Sequence, residues 1–168
     1  EAYSCDIIDT ENHPEWHFKQ DVLPLLSQEW DLIIAHPPCT YLSNAGAKHL
    51  WRGHVLNQER YEKGLEAKGF FYQFLQARCE RVCVENPIPS RVYEMPPYSQ
   101  IIQPYYFGDA VQKKTCLWLK GLQRLTPTKM VPPEANCHDA GTWFMKGGKN
   151  RQKNRARTFQ GIADAMAD

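Results

Sequence analysis

The chain has 168 residues, 42% of them hydrophobic, enough to bury one core of respectable size rather than two small ones. Twenty Lys and Arg against nineteen Asp and Glu leave a formal charge of +1, so no global field marks a nucleic-acid or membrane partner, and any such partner must meet a local patch. No apolar run is long enough to span a bilayer and no basic-then-apolar leader is seen, which predicts a cytoplasmic protein.

In chain order, "EAYSCDI" at the start and "WDLIIAH" at 30–36 are strand-like, and "RVCVEN" at 81–86 is a third β-rich run that ends in Pro87. Between the last two, 57–77 reads as a helix with Asn57 as its cap and Tyr61, Leu65, Phe71, Tyr72 and Leu75 near one face. Strand, helix, strand predicts a right-handed crossover that brings the two strand ends side by side, and ligands of such sheets bind at the carboxyl ends of strands. Beyond Pro87 the chain turns rich in proline and tyrosine. "KKTCLWLKG" then offers a strand at about 114–119, with "IIQPYYF" as its antiparallel partner. Residues 122–157 read as a Pro-rich and then basic loop region, and "TFQGIADAMAD" at 158–168 as a short helix. The whole is expected to be a single α/β domain, with 1–121 as its core.

Six cysteines stand at 5, 39, 79, 83, 116 and 137. A chain of this size with a full apolar complement does not need disulfides, so reduced thiols are expected, and the spacings make no convincing zinc site. His13 and His17 have helical spacing, but Pro14 between them predicts a solvated loop.

The run "LIIAHPPCT" is unusual. Two adjacent prolines fix two φ angles and remove two donors, so strand pairing stops and the next side chain, Cys39, is held in one direction. A cysteine at a strand top can act as a nucleophile where something else accepts the charge its attack creates, and Glu85, at the top of the neighbouring strand, is placed to do so.

At these residues the sequence resembles the DNA (cytosine-5) methyltransferases, and most closely the short methyltransferase-like proteins of phages and prophages. "PPCTYLSNAG" looks like the family's Pro-Cys-Gln loop with Thr40 for the glutamine, and "VENP" like its Glu-Asn motif. "FGDAVQKKTCLWL" is similar to its Gln-x-Arg-x-Arg strand, with Gln112 matching and Lys114 and Cys116 in the arginine places. "QDV" at 20–22 looks like the cofactor-contacting Asp motif, and Asp6 stands where the family keeps an acid after its second strand.

The resemblance implies a Rossmann-like class I methyltransferase fold, mostly parallel with an antiparallel edge hairpin, and S-adenosylmethionine as cofactor. The family's first strand and Gly-rich loop have no counterpart, and that strand would belong in the centre of the sheet. By resemblance Cys39 is the nucleophile, Glu85 the partner of cytosine N3, Asn86 an orienting group and Lys114 a positive contact near the base. Asp6, Ile7, Asp21, Val22, His36 and Pro37 would line the cofactor site. Ser43, Gln112 and the basic Lys149, Arg151, Lys153, Arg155 and Arg157 would meet DNA, whose target base must be flipped out. An amino-methyltransferase would carry Asp, Asn or Ser before Pro-Pro and an aromatic after it, where this chain has His36 and Cys39. Two other expectations compete: a catalytically silent DNA- or partner-binding scaffold, and a carbon-5 transferase for a free pyrimidine nucleotide. With only about 30 residues between Lys114 and the basic run, there is no room for a large recognition domain.

Overall fold

The computed structural model describes residues 1–133 and 158–168. The chain opens on β1 (Ser4–Asp6), turns through Pro14–Trp16, and returns as β2 (His17–Lys19), paired in parallel with β1. His17 therefore departs from the expected solvated loop. It opens β2 half-buried, with Nδ1 2.9 Å from the Ser4 hydroxyl and Nε2 3.0 Å from the Ile8 carbonyl. Pro14 bars a helix but not an extended segment beginning three residues later. His13 is exposed, at φ 54, and pairs with Glu15. The Tyr3 ring packs on Trp16, Phe18 and Trp30, which joins this pair by side chains to the chain entering β3 (Ile33–Ala35).

After β3 come the one-turn helix α1 (Asn44–Ala47), a hairpin of β4 (Trp51–Arg52) and β5 (Val55–Leu56), and the long helix α2 (Gln58–Leu75). The predicted cap is in place: the Asn57 side chain accepts from the Arg60 amide at 3.1 Å, an interaction worth about 1 kcal/mol. The buried face of α2 agrees with the expected one at Tyr61, Phe71 and Leu75 but departs from it at Leu65. Gly64, Phe71 and Phe74 are buried with Tyr61 and Phe70 packed beside them, while Leu65 is 44% exposed. The cause is Gly64, where a Cβ would collide with the buried Tyr93 ring, so the helix approaches most closely where it has no side chain.

Strands β6 (Val82–Pro87), β7 (Gln100–Ile102) and β8 (Thr115–Lys120) complete a four-stranded sheet ordered β3-β6-β8-β7. β3 and β6 are parallel, and β8 opposes both β6 and β7, so three of the four strands run one way. The antiparallel hairpin lies at the edge as expected, but β7 takes the outermost place and β8 the inner one. Thr115 through Trp118 are all buried, as a strand covered on both faces requires. Side chains alternate between two cores. Val82, Val84, Cys116 and Trp118 face α2, while Cys83 and Leu117 join Ile102, Phe107 and Ile162 under the last helix, Gln160–Ala167. Among the described residues, no strand pairs with the outer edge of β3, and β1-β2 stays a separate sheet. No described helix is long and apolar enough to cross a membrane.

Candidate active site

The sheet brings the carboxyl ends of β3 and β6 together, and the start of β8 reaches the same edge because Thr115 pairs with Pro87. In the parallel register Ala35 faces Val84, so one step further on His36 stands beside Glu85. His36 Nδ1 lies 3.0 Å from Glu85 Oε2, with the two side chains 41% and 20% exposed. One more step along, Asn86, buried to 2% exposure, donates from Nδ2 to the Pro37 carbonyl at 3.0 Å. The β3–β6 ladder ends at Ala35 and Val84, and the Asn86 side chain gives the Pro37 carbonyl a donor beyond that end.

Cys39 is half-buried and in no disulfide. The turn that follows it is fixed from several sides. The Ser43 amide donates to the Cys39 carbonyl at 3.0 Å, the Asn44 amide to the Ile88 carbonyl at 3.0 Å, and the Ser90 amide to the Leu42 carbonyl at 2.7 Å. A bridge between Ser43 and Pro89 lies among these bonds, so 42–44 and 88–90 form a short ladder of their own. From α2, Arg60 Nη2 donates to the carbonyls of Thr40 and Gly46 at 3.3 and 3.1 Å, and the guanidinium stands 4.9 Å from the Tyr41 ring centre.

Gly46 closes the turn tightly, since a Cβ there would strike the Thr40 carbonyl oxygen, which is main chain and cannot swing away. Gly46→Ala is therefore expected to distort the segment carrying Cys39 and to slow any reaction at that thiol roughly tenfold or more. The overall fold should persist, as judged by unchanged far-UV circular dichroism.

Ser43 is 6% exposed and its hydroxyl accepts from the Gly46 amide, so it caps α1 inside the turn. Lys114 and Gln112 are exposed just before β8, on the edge that holds Glu85 and Asn86. Lys149, Arg151, Lys153, Arg155 and Arg157 lie outside the described residues, as does Cys137. Three other thiols are buried. Cys79 donates to the Trp30 and Arg81 carbonyls. Burial, and secondarily the charge of Glu85, pushes the Cys83 thiol up to about 12 and the Cys116 thiol up to about 11.

At the far end of the strand pair, Asp6 ends β1 and Asp21 lies just after β2, both exposed. Each accepts one nearby amide with Oδ1, from Ile8 and Leu23 respectively. The Gln20 amide donates to the Asp6 carbonyl at 3.1 Å, which brings the chain just before Asp21 to the end of β1; burial first, and then the charges of both aspartates, raise the Cys5 thiol above its ordinary range. Ile7 between them is 75% exposed. Two carboxylates beside a bare apolar side chain suit the donors and flat face of an adenosine. Val22 is half-buried against the α2 side of the sheet, and Pro37 is buried. Among the described residues no three His, Cys, Asp or Glu side chains converge as a metal site would need.

The pairing of His36 with Glu85 was not read from the sequence, because 49 positions separate the two and only the strand register joins them.

No protein-family model matches the chain. A viral protein named "Probable DNA (cytosine-5)-methyltransferase", from Frog virus 3 (isolate Goorha), is 28% identical over 137 residues, covering 70% of this chain and 60% of that protein. The chain thus spans about three fifths of the relative it matches. No solved structure matches it.

Proposed function

We propose that this chain transfers a methyl group from S-adenosylmethionine to carbon 5 of cytosine in DNA, with Cys39 as nucleophile and Glu85 as the partner of N3. The observation that supports this most is the stitched pair of strand ends. The Asn86 amide on the Pro37 carbonyl, together with the 42–44 and 88–90 ladder, holds the segment bearing Cys39 against the one bearing Glu85. The similarity to the viral protein adds a named activity to that geometry.

In this reading the Cys39 sulfur adds to carbon 6 of the flipped base while Glu85 gives a proton to N3, so that carbon 5 becomes electron-rich. S-adenosylmethionine, when bound, supplies the electrophilic methyl group. A base then takes the carbon-5 proton, the ring double bond re-forms, the thiolate of Cys39 leaves, and the N3 proton returns to Glu85. Lys114, at the same sheet edge, offers a positive charge to the base or its phosphate.

The cofactor would be held by Asp6 and Asp21, whose carboxylates would accept from ribose hydroxyls and the adenine amine, with adenine resting on Ile7. Asp6→Ala and Asp21→Ala are each expected to weaken S-adenosylmethionine binding roughly tenfold in calorimetry, as the loss of a charge-assisted hydrogen bond does. Unchanged affinity in both variants would remove these residues from the site.

The deciding experiment incubates the protein with S-adenosylmethionine and either duplex DNA or deoxycytidine monophosphate, then digests the DNA and measures 5-methylcytosine by mass spectrometry. Product in the DNA supports the proposal, and product from the nucleotide alone moves the substrate to a free pyrimidine. A silent binding scaffold is the competing reading. That reading prevails if neither substrate is methylated and calorimetry detects no cofactor binding.

A further inference from the structure

We infer that His36 is a positioning residue for Glu85: its Nδ1–H holds Oε2, leaving Oε1 to meet the base, and steadies the carboxylate that remains once Glu85 has given its proton away. This rests on the reading above, in which Glu85 serves cytosine N3.

The geometry is specific. A carboxyl group has two equivalent oxygens and a freely turning terminal bond, so a glutamate alone does not define which oxygen a ligand meets. A donor 3.0 Å from Oε2 removes that choice. The donor is itself fixed, because the next residue is Pro37, whose restricted backbone is held through its carbonyl by the buried Asn86. The Glu85 side chain is only 20% exposed, so water competes weakly for Oε2.

Cys83 on β6 and Cys116 on β8 are buried thiols whose ionisation the charge of Glu85 opposes. Lys114 precedes β8 at the same edge and is exposed. His36 supplies a donor to Glu85 from β3, on the side where Cys39 follows three residues later.

The inference also sets the imidazole tautomer. An ionised Glu85 only accepts, so the ring proton must sit on Nδ1, and Nε2 of the 41% exposed ring is left to solvent. When Glu85 is protonated, its proton belongs on Oε1, the oxygen turned to N3, and the Nδ1–H···Oε2 bond survives its transfer. No further atom has to move.

Two measurements test this. Nitrogen–proton correlation spectra of the wild-type imidazole are expected to show the proton on Nδ1 at neutral pH and on Nε2 in Glu85→Ala. A wild-type ring protonated on Nε2 alone would overturn the inference, whether or not the protein is an enzyme.

The second measurement is the rate of covalent adduct formation with 5-fluorocytosine DNA. His36→Ala is expected to slow it roughly 10- to 100-fold with little change in DNA affinity, the loss of a hydrogen bond to a charged group. His36→Asn keeps an N–H at the Nδ1 position and should recover most of the rate. A wild-type adduct with His36→Ala equally fast refutes the role of His36 alone. No adduct even with the wild type refutes the assignment of Cys39 and Glu85, and this inference falls with it.

Discussion

Cys39→Ser is expected to abolish the covalent complex that the wild-type protein forms with DNA carrying 5-fluorocytosine in the presence of S-adenosylmethionine. Fluorine at carbon 5 cannot leave as a proton, so a reaction that has passed through sulfur addition and methyl transfer stops with the S–C6 bond intact. Such a complex survives denaturing electrophoresis, and peptide mapping should place the base on Cys39. The three buried thiols make poor substitutes. Burial pushes the Cys83 thiol up to about 12 and the Cys116 thiol up to about 11, which disfavours the reactive thiolate in both. Cys79 is committed to two carbonyls inside the core. An adduct of undiminished yield in Cys39→Ser would refute the mechanism, whereas its loss with an unchanged melting temperature assigns the defect to chemistry.

The largest effect on stability is expected from Phe71→Ala. Phe71 is fully buried in the middle of α2, with its ring edge-on to Trp118 of β8 at 5.0 Å between centroids. It joins the helix to the inner antiparallel strand of the sheet. Truncation of such a side chain costs about 3–5 kcal/mol, against a total of about 5–15 kcal/mol for a typical domain. Urea titration should show a large fall in the midpoint with an unchanged slope. Leu65→Ala, on the same helix but 44% exposed, should shift stability by no more than about 0.5 kcal/mol. A larger loss from Leu65 than from Phe71 would contradict the burial of Phe71 and the exposure of Leu65.

Those two helix positions show where the sequence is readable and where it is not. The extent of α2 follows from its Asn57 cap and its run of helix formers, both local signals. Its orientation depends on Gly64, which contributes no hydrophobicity to any periodic count, yet is where Tyr93 comes closest. The β2 segment, His-Phe-Lys, is too short and too polar to declare itself as a strand and is made so by pairing with Ser4–Asp6. Turn chemistry could have revealed the hairpin at 51–56, since Gly53 sits at φ 61 between its strands.

At the candidate site, Pro37 and Pro38 announce Cys39, and the β-rich run before Pro87 announces Glu85. The partners of these residues are long-range. His36 finds Glu85, and Asn86 finds Pro37, only because β3 and β6 pair with Ala35 opposite Val84. Shifting that register by one residue would turn every one of these side chains to the other face of the sheet.

The short ladder between 42–44 and 88–90 also governs how the reactive segment can move. Main-chain bonds join this stretch to the exit of β6 on both sides of Leu42, itself fully buried, so the two are expected to open as one cooperative unit. Its amides at Ser43, Asn44 and Ser90 should accordingly exchange with deuterium at a common slow rate, well below that of the exposed hairpin tip at Gly53 and His54. A ligand arriving at Cys39 therefore meets backbone already ordered. The conformational entropy of that turn, roughly 1–2 kcal/mol for each residue fixed, is lost when the protein folds and not again at each encounter with a substrate.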